Sequence, residues 1–237
     1  MTTPTSSPRP SALISGLRTV PVTVVLALAA ACATPAGVGA PAAADTALSA
    51  AVPAAASTDP EVLLARLGQA RPEDTGAHYD RDMFGTWTTD PATGCDTRET
   101  VLARDGIGVL ADPATCRPSC PDMAAPCWIS PYDDVRTTDP RRLDVDHVVA
   151  LAEAVRSGAR SWTDARRRAF ATDPANLLAV SASSNRSKGD DDPGRWRPPA
   201  RASWCRVATT TITVKAHYGL HADADEHAAL AAMLRTC

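Results

Sequence analysis

Phenylalanine and tyrosine are scarce, with two Phe and three Tyr in 237 residues. A core here must rest on Leu, Val, Ala and the five Trp. No internal repeat is visible. No apolar run reaches the ~20 residues of a membrane-spanning helix; "VPVTVVLALAAACA", from Val20 to Ala33, falls short. The Cys-x2-Cys knuckles of zinc sites are missing from "CRPSCPDMAAPC", and no His lies close to it. An excess of positive charge is missing too. The formal net charge is −3, a poor global match for a nucleic-acid binder.

What is present begins with an export signal. Arg9 and Arg18 precede the apolar run, the order of a secretory signal peptide. Two processing sites compete. Ala42-Ala43-Ala44 offers a small-residue cleavage site before Asp45. Cys32 offers a lipid-anchor site, although Ala29 stands where a lipoprotein signal usually has Leu, with Leu28 one place off. Residues 1–44 are therefore read as signal and processing region. Residues 45–58 read as an Ala/Pro-rich disordered linker. Residues 59–237 have the length of one domain. The expected product is secreted, with no transmembrane span and monomeric; a lipid anchor on Cys32 at the cell surface is the alternative.

Cysteine usage agrees with export. Cys95, Cys116, Cys120, Cys127, Cys205 and Cys237 are an even number in a chain bound for an oxidising compartment. Helices expected over 201–218 and 223–235 meet at Gly219, and an antiparallel hairpin brings Cys205 toward Cys237. The other four allow three pairings, which spacing leaves open.

Further helices are expected over 59–68, 95–106, 150–157, 161–174 and 183–190. Asp96 with Glu99, and Asp223 with Glu226, read as capping boxes, and Ser183 as a cap. "RLDVDHVVAL" places Leu143 and Val145 on one face of a half-buried strand and Asp144 and Asp146 on the other. "NLLAVSA" is a second strand, and "CWISPY" a third. The whole is an α+β pattern.

The chemistry-bearing residues follow in the order strand, long connection, strand, helix. They are Asp146-His147, Asn176, then Asn185 and Lys188. A neutral imidazole at His147 could take a proton from water near pH 7. A carboxylate at Asp146 and an amide oxygen at Asn185 suit one Mg²⁺ or Mn²⁺ better than zinc. Lys188 lies one turn beyond Asn185 and could grip a phosphate. From Arg141 to Arg206 there are thirteen Lys/Arg against eight Asp/Glu, so this region is locally basic and able to track phosphates. Arg98 could also reach a phosphate. Asp144 is either an orienting group or a solvated acid. "ARRR" (165–168) and "GDDD" (189–192) are read first as a solvated face and an exposed turn.

"DVDHVVAL…NLLAVSASSNRSKGD" resembles the HNH, or ββα-metal, nuclease motif. It is most similar to secreted HNH endonuclease family proteins of actinobacterial type, related to the C-terminal part of some modification-dependent restriction enzymes. "YDRDMFGTW", "GCDTRETVL", "SGARSWTDARRRAF", "SNRSKGDDDPGRW" and "WC…VKAHYGL" extend the likeness over roughly 79–237. The resemblance implies a ββα-metal core with surrounding helices, and His147 as general base. It implies Asp146 and Asn185 as metal ligands, Asn176 as the brace of the loop between the strands, and Lys188 near the phosphate. It also favours Arg98 as a phosphate contact. Ala150 departs from the family, which usually has Pro there. The implied activity is low-specificity, metal-dependent hydrolysis of DNA, with RNA open. A non-catalytic binding protein on the same scaffold is the rival reading.

Overall fold

The computed structural model describes residues 57–67, 72–76 and 78–237. The expected signal, Cys32 and most of the Ala/Pro linker lie outside these residues. The fold is α+β, with small antiparallel sheets among helices.

Most helices start where a side chain meets their free N–H groups. Asp59 caps α1 (Pro60–Arg66) and Asp96 caps α2 (Thr97–Asp105), accepting from Glu99 N at 2.7 Å. Three short pairs follow or interleave: β1 (Leu110–Ala111) with β2 (Pro118–Ser119), β3 (Trp128–Ile129) with β4 (Arg136–Thr137), and β5 (Leu143–His147) with β6 (Leu177–Ser181). Between β5 and β6 come α3 (Leu151–Arg156) and α4 (Asp164–Thr172), the latter capped by Thr163. α5 (Ala182–Lys188) follows β6 directly, and its cap is Ser181 rather than the expected Ser183. The chain closes with α6 (Trp204–Tyr218) and α7 (Ala224–Leu234). Gly219 ends α6 at φ 62°, a left-handed turn that a side chain would strain.

The β5–β6 hairpin is packed on both faces. Leu143, Val145, Leu177 and Ala179 meet Val101, Leu102 and Trp128, on and beside α2. Leu178 and Val180 meet Val207 and Ile212 of α6 and Leu230 of α7. In register, Asp144 lies opposite Val180 and Asp146 opposite Leu178. The acidic face of β5 is therefore not a solvated edge: α5 and Tyr132 cover it, and Asp146 is only 6% exposed. The strand ends at His147, as its place before the 150–157 helix implies, and "CWISPY" contributes two strand residues only.

Three disulfides join Cys95 to Cys116, Cys120 to Cys127, and Cys205 to Cys237. The last ties the start of α6 to the end of the chain, the pair that the hairpin favours. Glu226 departs from its expected place as a capping partner. Its backbone N–H does bond Asp223, but its side chain turns inward to Lys215 of α6. Among the described residues, no helix is long and apolar enough to cross a membrane.

Candidate active site

The end of β5, α5 and two more distant segments form one cleft. Asp144, Asp146, His147 and Asn185 line its inner side. Tyr79, Arg81 and Trp87 from the segment before α2, and Arg98 from α2 itself, complete it.

His147 is buried, and its Nε2 lies 2.8 Å from the carbonyl oxygen of Ala171, at the end of α4. A carbonyl can only accept, so Nε2 carries the proton and Nδ1 is left with the lone pair. Burial holds the imidazole pKa below its ordinary value, against the raising effects of the Ala171 carbonyl and Asp146. The ring is neutral at pH 7.

The turn after His147 is held by Asn176, a fully buried amide. Asn176 Oδ1 accepts from Val149 N at 2.8 Å, and Nδ2 donates to Val149 O at 3.1 Å. The Asn176 carbonyl accepts from Val148 N at 2.8 Å. The amide side chain thus acts as one more rung beyond the hairpin. Ala150 has φ −59°, within the proline range, so the turn keeps the shape that proline would impose.

Asp146 and Lys188 form a buried pair. The Lys188 ammonium lies 3.1 Å from Oδ1 and 3.0 Å from Oδ2, and it donates to the His147 carbonyl at 2.9 Å. Tyr132 donates to Asp146 Oδ2 at 2.7 Å. Burial, with Asp146 beside it, holds the Tyr132 pKa well above the phenol value, so this hydroxyl stays a donor. Lys188 is 4% exposed, which sets it apart from the phosphate-facing residue expected of it. Asn185 meets Asp144 instead of Asp146: its Nδ2 donates to Asp144 Oδ2 at 3.1 Å. Arg98 lines the cleft while its Nη2 donates to the carbonyls of Pro140 and Leu143, both at 3.1 Å.

The oxygen donors fit a hard divalent cation. The amide nitrogen of Asn185 is fixed by Asp144, so Asn185 Oδ1 and Asp144 Oδ1 remain as acceptors. A carboxylate has about four lone-pair positions, and Tyr132 with the bridging Lys188 leaves Asp146 room for one more partner.

A second acidic group lies elsewhere. Glu73, Glu153 and Asp192 bring carboxylate oxygens within 4.8 Å of one another. Their charge is already met by Arg156, Arg195 and Lys215. Lys215 is fully buried and binds both Glu153 and Glu226. Burial works against its ammonium, but the two carboxylates outweigh it and raise its pKa. Glu153 is also met by Arg156, whereas Glu226 has Lys215 alone. Glu226 keeps the proton: burial, opposed by Lys215 but reinforced by Glu153, pushes its pKa up to about 8. The 189–192 run is likewise not a simple exposed turn, since Asp190 pairs with Arg156 and Asp192 is buried. Within "ARRR", Arg166 and Arg168 are exposed, in keeping with a solvated face, while the Arg166 guanidinium lies over the Trp162 ring and donates to the Tyr218 carbonyl at 2.7 Å.

Sequence reasoning assigned no role in the site to Tyr79, Arg81 or Trp87. They lie sixty or more residues before His147, and only the resemblance over "YDRDMFGTW" hinted at their place. The Lys215 network was also missed, because buried ions have no sequence period.

No solved structure matches the chain. Residues 128–233 match the family model described as GmrSD restriction endonucleases, C-terminal domain. A fungal relative, the "Uncharacterized secreted protein" of Arthroderma benhamiae, is 40% identical over 196 residues, covering 79% of this chain and 93% of its own length. The chain belongs to the family of this fungal protein, and its residues 128–233 are similar to the C-terminal domain of the GmrSD restriction endonucleases.

Proposed function

We propose that the chain is an exported, divalent-metal-dependent HNH endonuclease that hydrolyses phosphodiester bonds in DNA with low sequence specificity. The observation that carries this reading is the state of His147. Its Nε2 is committed to the Ala171 carbonyl, its ring is neutral, and it lines a cleft with two carboxylates and an amide. Nδ1 takes the proton of the attacking water, and the resulting imidazolium is stabilised by Ala171 O and the adjacent Asp146. Asn176 holds the turn so that the ring keeps its aim. Asp146 and Asn185, with Asp144 beside them, would hold one Mg²⁺ or Mn²⁺. When bound, the cation neutralises charge at the phosphate and on the departing oxygen. Residues 143–188, from β5 through α5, are read as the ββα-metal core, and residues 59–237 as the folded enzyme. Export is supported by the signal-like N-terminus and by three disulfides. Among the described residues no separate sequence-reading module accompanies the cleft, in keeping with low specificity.

The test is plasmid nicking by the oxidised protein with Mg²⁺, Mn²⁺ or EDTA, beside His147→Ala. Metal-dependent nicking that the variant lacks is expected. Failure to cut DNA or RNA with either metal would leave a binding protein on this scaffold. Cutting confined to one short sequence would overturn low specificity.

A further inference from the structure

A phosphodiester in this cleft needs a cation free to face it. The residues expected to serve are otherwise engaged. Lys188 is buried, with its ammonium on Asp146 and the His147 carbonyl. Arg98 is anchored through Nη2 to two backbone carbonyls. Arg81 differs from both. It opens the 3-10 turn Arg81–Phe84, is exposed, and lines the same cleft as His147. Its guanidinium lies against the Tyr79 hydroxyl, and it ion-pairs with no carboxylate among the described residues.

The position of Arg81 is fixed from below. Asp80 accepts from Asp82 N at 2.9 Å and sets the turn. Phe84 is fully buried against Phe170 of α4, the helix whose end carries the His147 partner Ala171. Arg81 and His147 line one cleft, so a phosphate held there can meet both.

We propose that Arg81 grips the scissile phosphate beside His147, its planar fork meeting the non-bridging oxygens. The inference rests on the nuclease reading. It places an essential substrate contact outside the 128–233 stretch that matches the GmrSD C-terminal domain.

The experiment is a fluorescence-anisotropy titration of a short labelled DNA duplex in EDTA, over a series of KCl concentrations. It compares the full oxidised chain with Arg81→Ala, Arg81→Lys and Arg235→Ala. Arg235 is exposed, lies outside the basic 141–206 region, donates to the Ala231 carbonyl, and serves as the control. Arg81→Ala is expected to weaken binding about tenfold, the loss of one charged hydrogen-bonding group. Its log–log salt slope should fall by about 0.9, one phosphate contact. Arg81→Lys should keep the slope with part of the affinity, and Arg235→Ala should match wild type. If wild type binds and Arg81→Ala equals it in affinity and slope, the inference is overturned while the nuclease reading stands. If wild type neither binds nor nicks nucleic acid, both fall. Should Arg81→Ala unfold by circular dichroism, Arg81→Gln, which is long but uncharged, takes its place in the same two measurements.

Discussion

Asn185 Nδ2 donates to Asp144 Oδ2 at 3.1 Å, joining the middle of α5 to the second residue of β5. This bond sets which atom of the amide faces the cleft, because the nitrogen is taken and the oxygen is not. Asp144 is thereby a positioning residue for Asn185. Asp144→Asn keeps a hydrogen-bonding partner but removes a charge. It should leave the melting temperature nearly unchanged and raise the Mg²⁺ concentration needed for nicking about 10–100-fold. Equal Mg²⁺ dependence in the two proteins would refute the assignment.

Lys188 provides Asp146 with a built-in counter-ion. Removing it leaves a buried carboxylate unpaired, at a cost of about 3–5 kcal/mol. Lys188→Met should therefore melt well below wild type in EDTA. It should recover more than wild type does when Mg²⁺ is added, because ligand binding to the folded state stabilises it. A variant that melts like wild type and ignores Mg²⁺ would show that the pair matters little.

Burial lowers the pKa of His147, and in the proposed mechanism the neutral ring is the working form. Protonation inactivates it, so activity falls as pH drops through the folded-state pKa. The acid limb of kcat/KM against pH should have its midpoint below the ordinary histidine value of about 6.5. A midpoint above 7 would contradict the burial argument.

Glu226 is protonated up to about pH 8 in the folded state, against a carboxyl value of 4.5 when free. The folded chain thus holds an extra proton between these two values. Its contribution to stability is full below about 4.5 and declines as pH rises toward 8. Glu226→Gln mimics the protonated form and should flatten that part of the stability profile, with little loss at pH 5. Lys215→Met, which leaves Glu153 to Arg156 alone, should lower stability across this pH range. Chemical denaturation across pH 5–8 measures both.

At Ala150 the backbone already has φ −59°. Ala150→Pro should stabilise the protein by about 0.4–1 kcal/mol by restricting the unfolded chain. A drop in melting temperature would mean that the ring does not fit the buried turn.

Much of this architecture could be read from residue order. Caps at Asp59, Asp96, Thr163 and Asp223 start the helices where the pattern places them, because a cap is a local bond. Alternation of Leu143 and Val145 with Asp144 and Asp146 marks the strand. It cannot reveal that α5 and Tyr132 roof the acidic face, since the pattern of a polar face is the same under solvent or under a lysine. Lys188 and Asn185 were correctly placed on one helix. Which carboxylate each takes depends on how α5 crosses β5, and that is a tertiary fact. Arg81 reaches the cleft only through the packing of Phe84 on α4, a contact that spans 86 residues between the two phenylalanines and has no trace in spacing.

The Cys95–Cys116 and Cys120–Cys127 bonds lie in a stretch whose strands are two residues long. Such strands bring few ladder bonds, and Ile107, Leu110 and Met123 face outward, so this stretch has little core of its own. Covalent links take the place of burial there. They bracket α2, with Arg98, and the start of β3, with Trp128. The β5–β6–α5 unit contains no cysteine. The molecule is built in two grades, a redox-indifferent centre and a redox-dependent rim. A reducing environment would strip the rim of its fastening while breaking no bond among the β5, β6 and α5 residues proposed to do the chemistry.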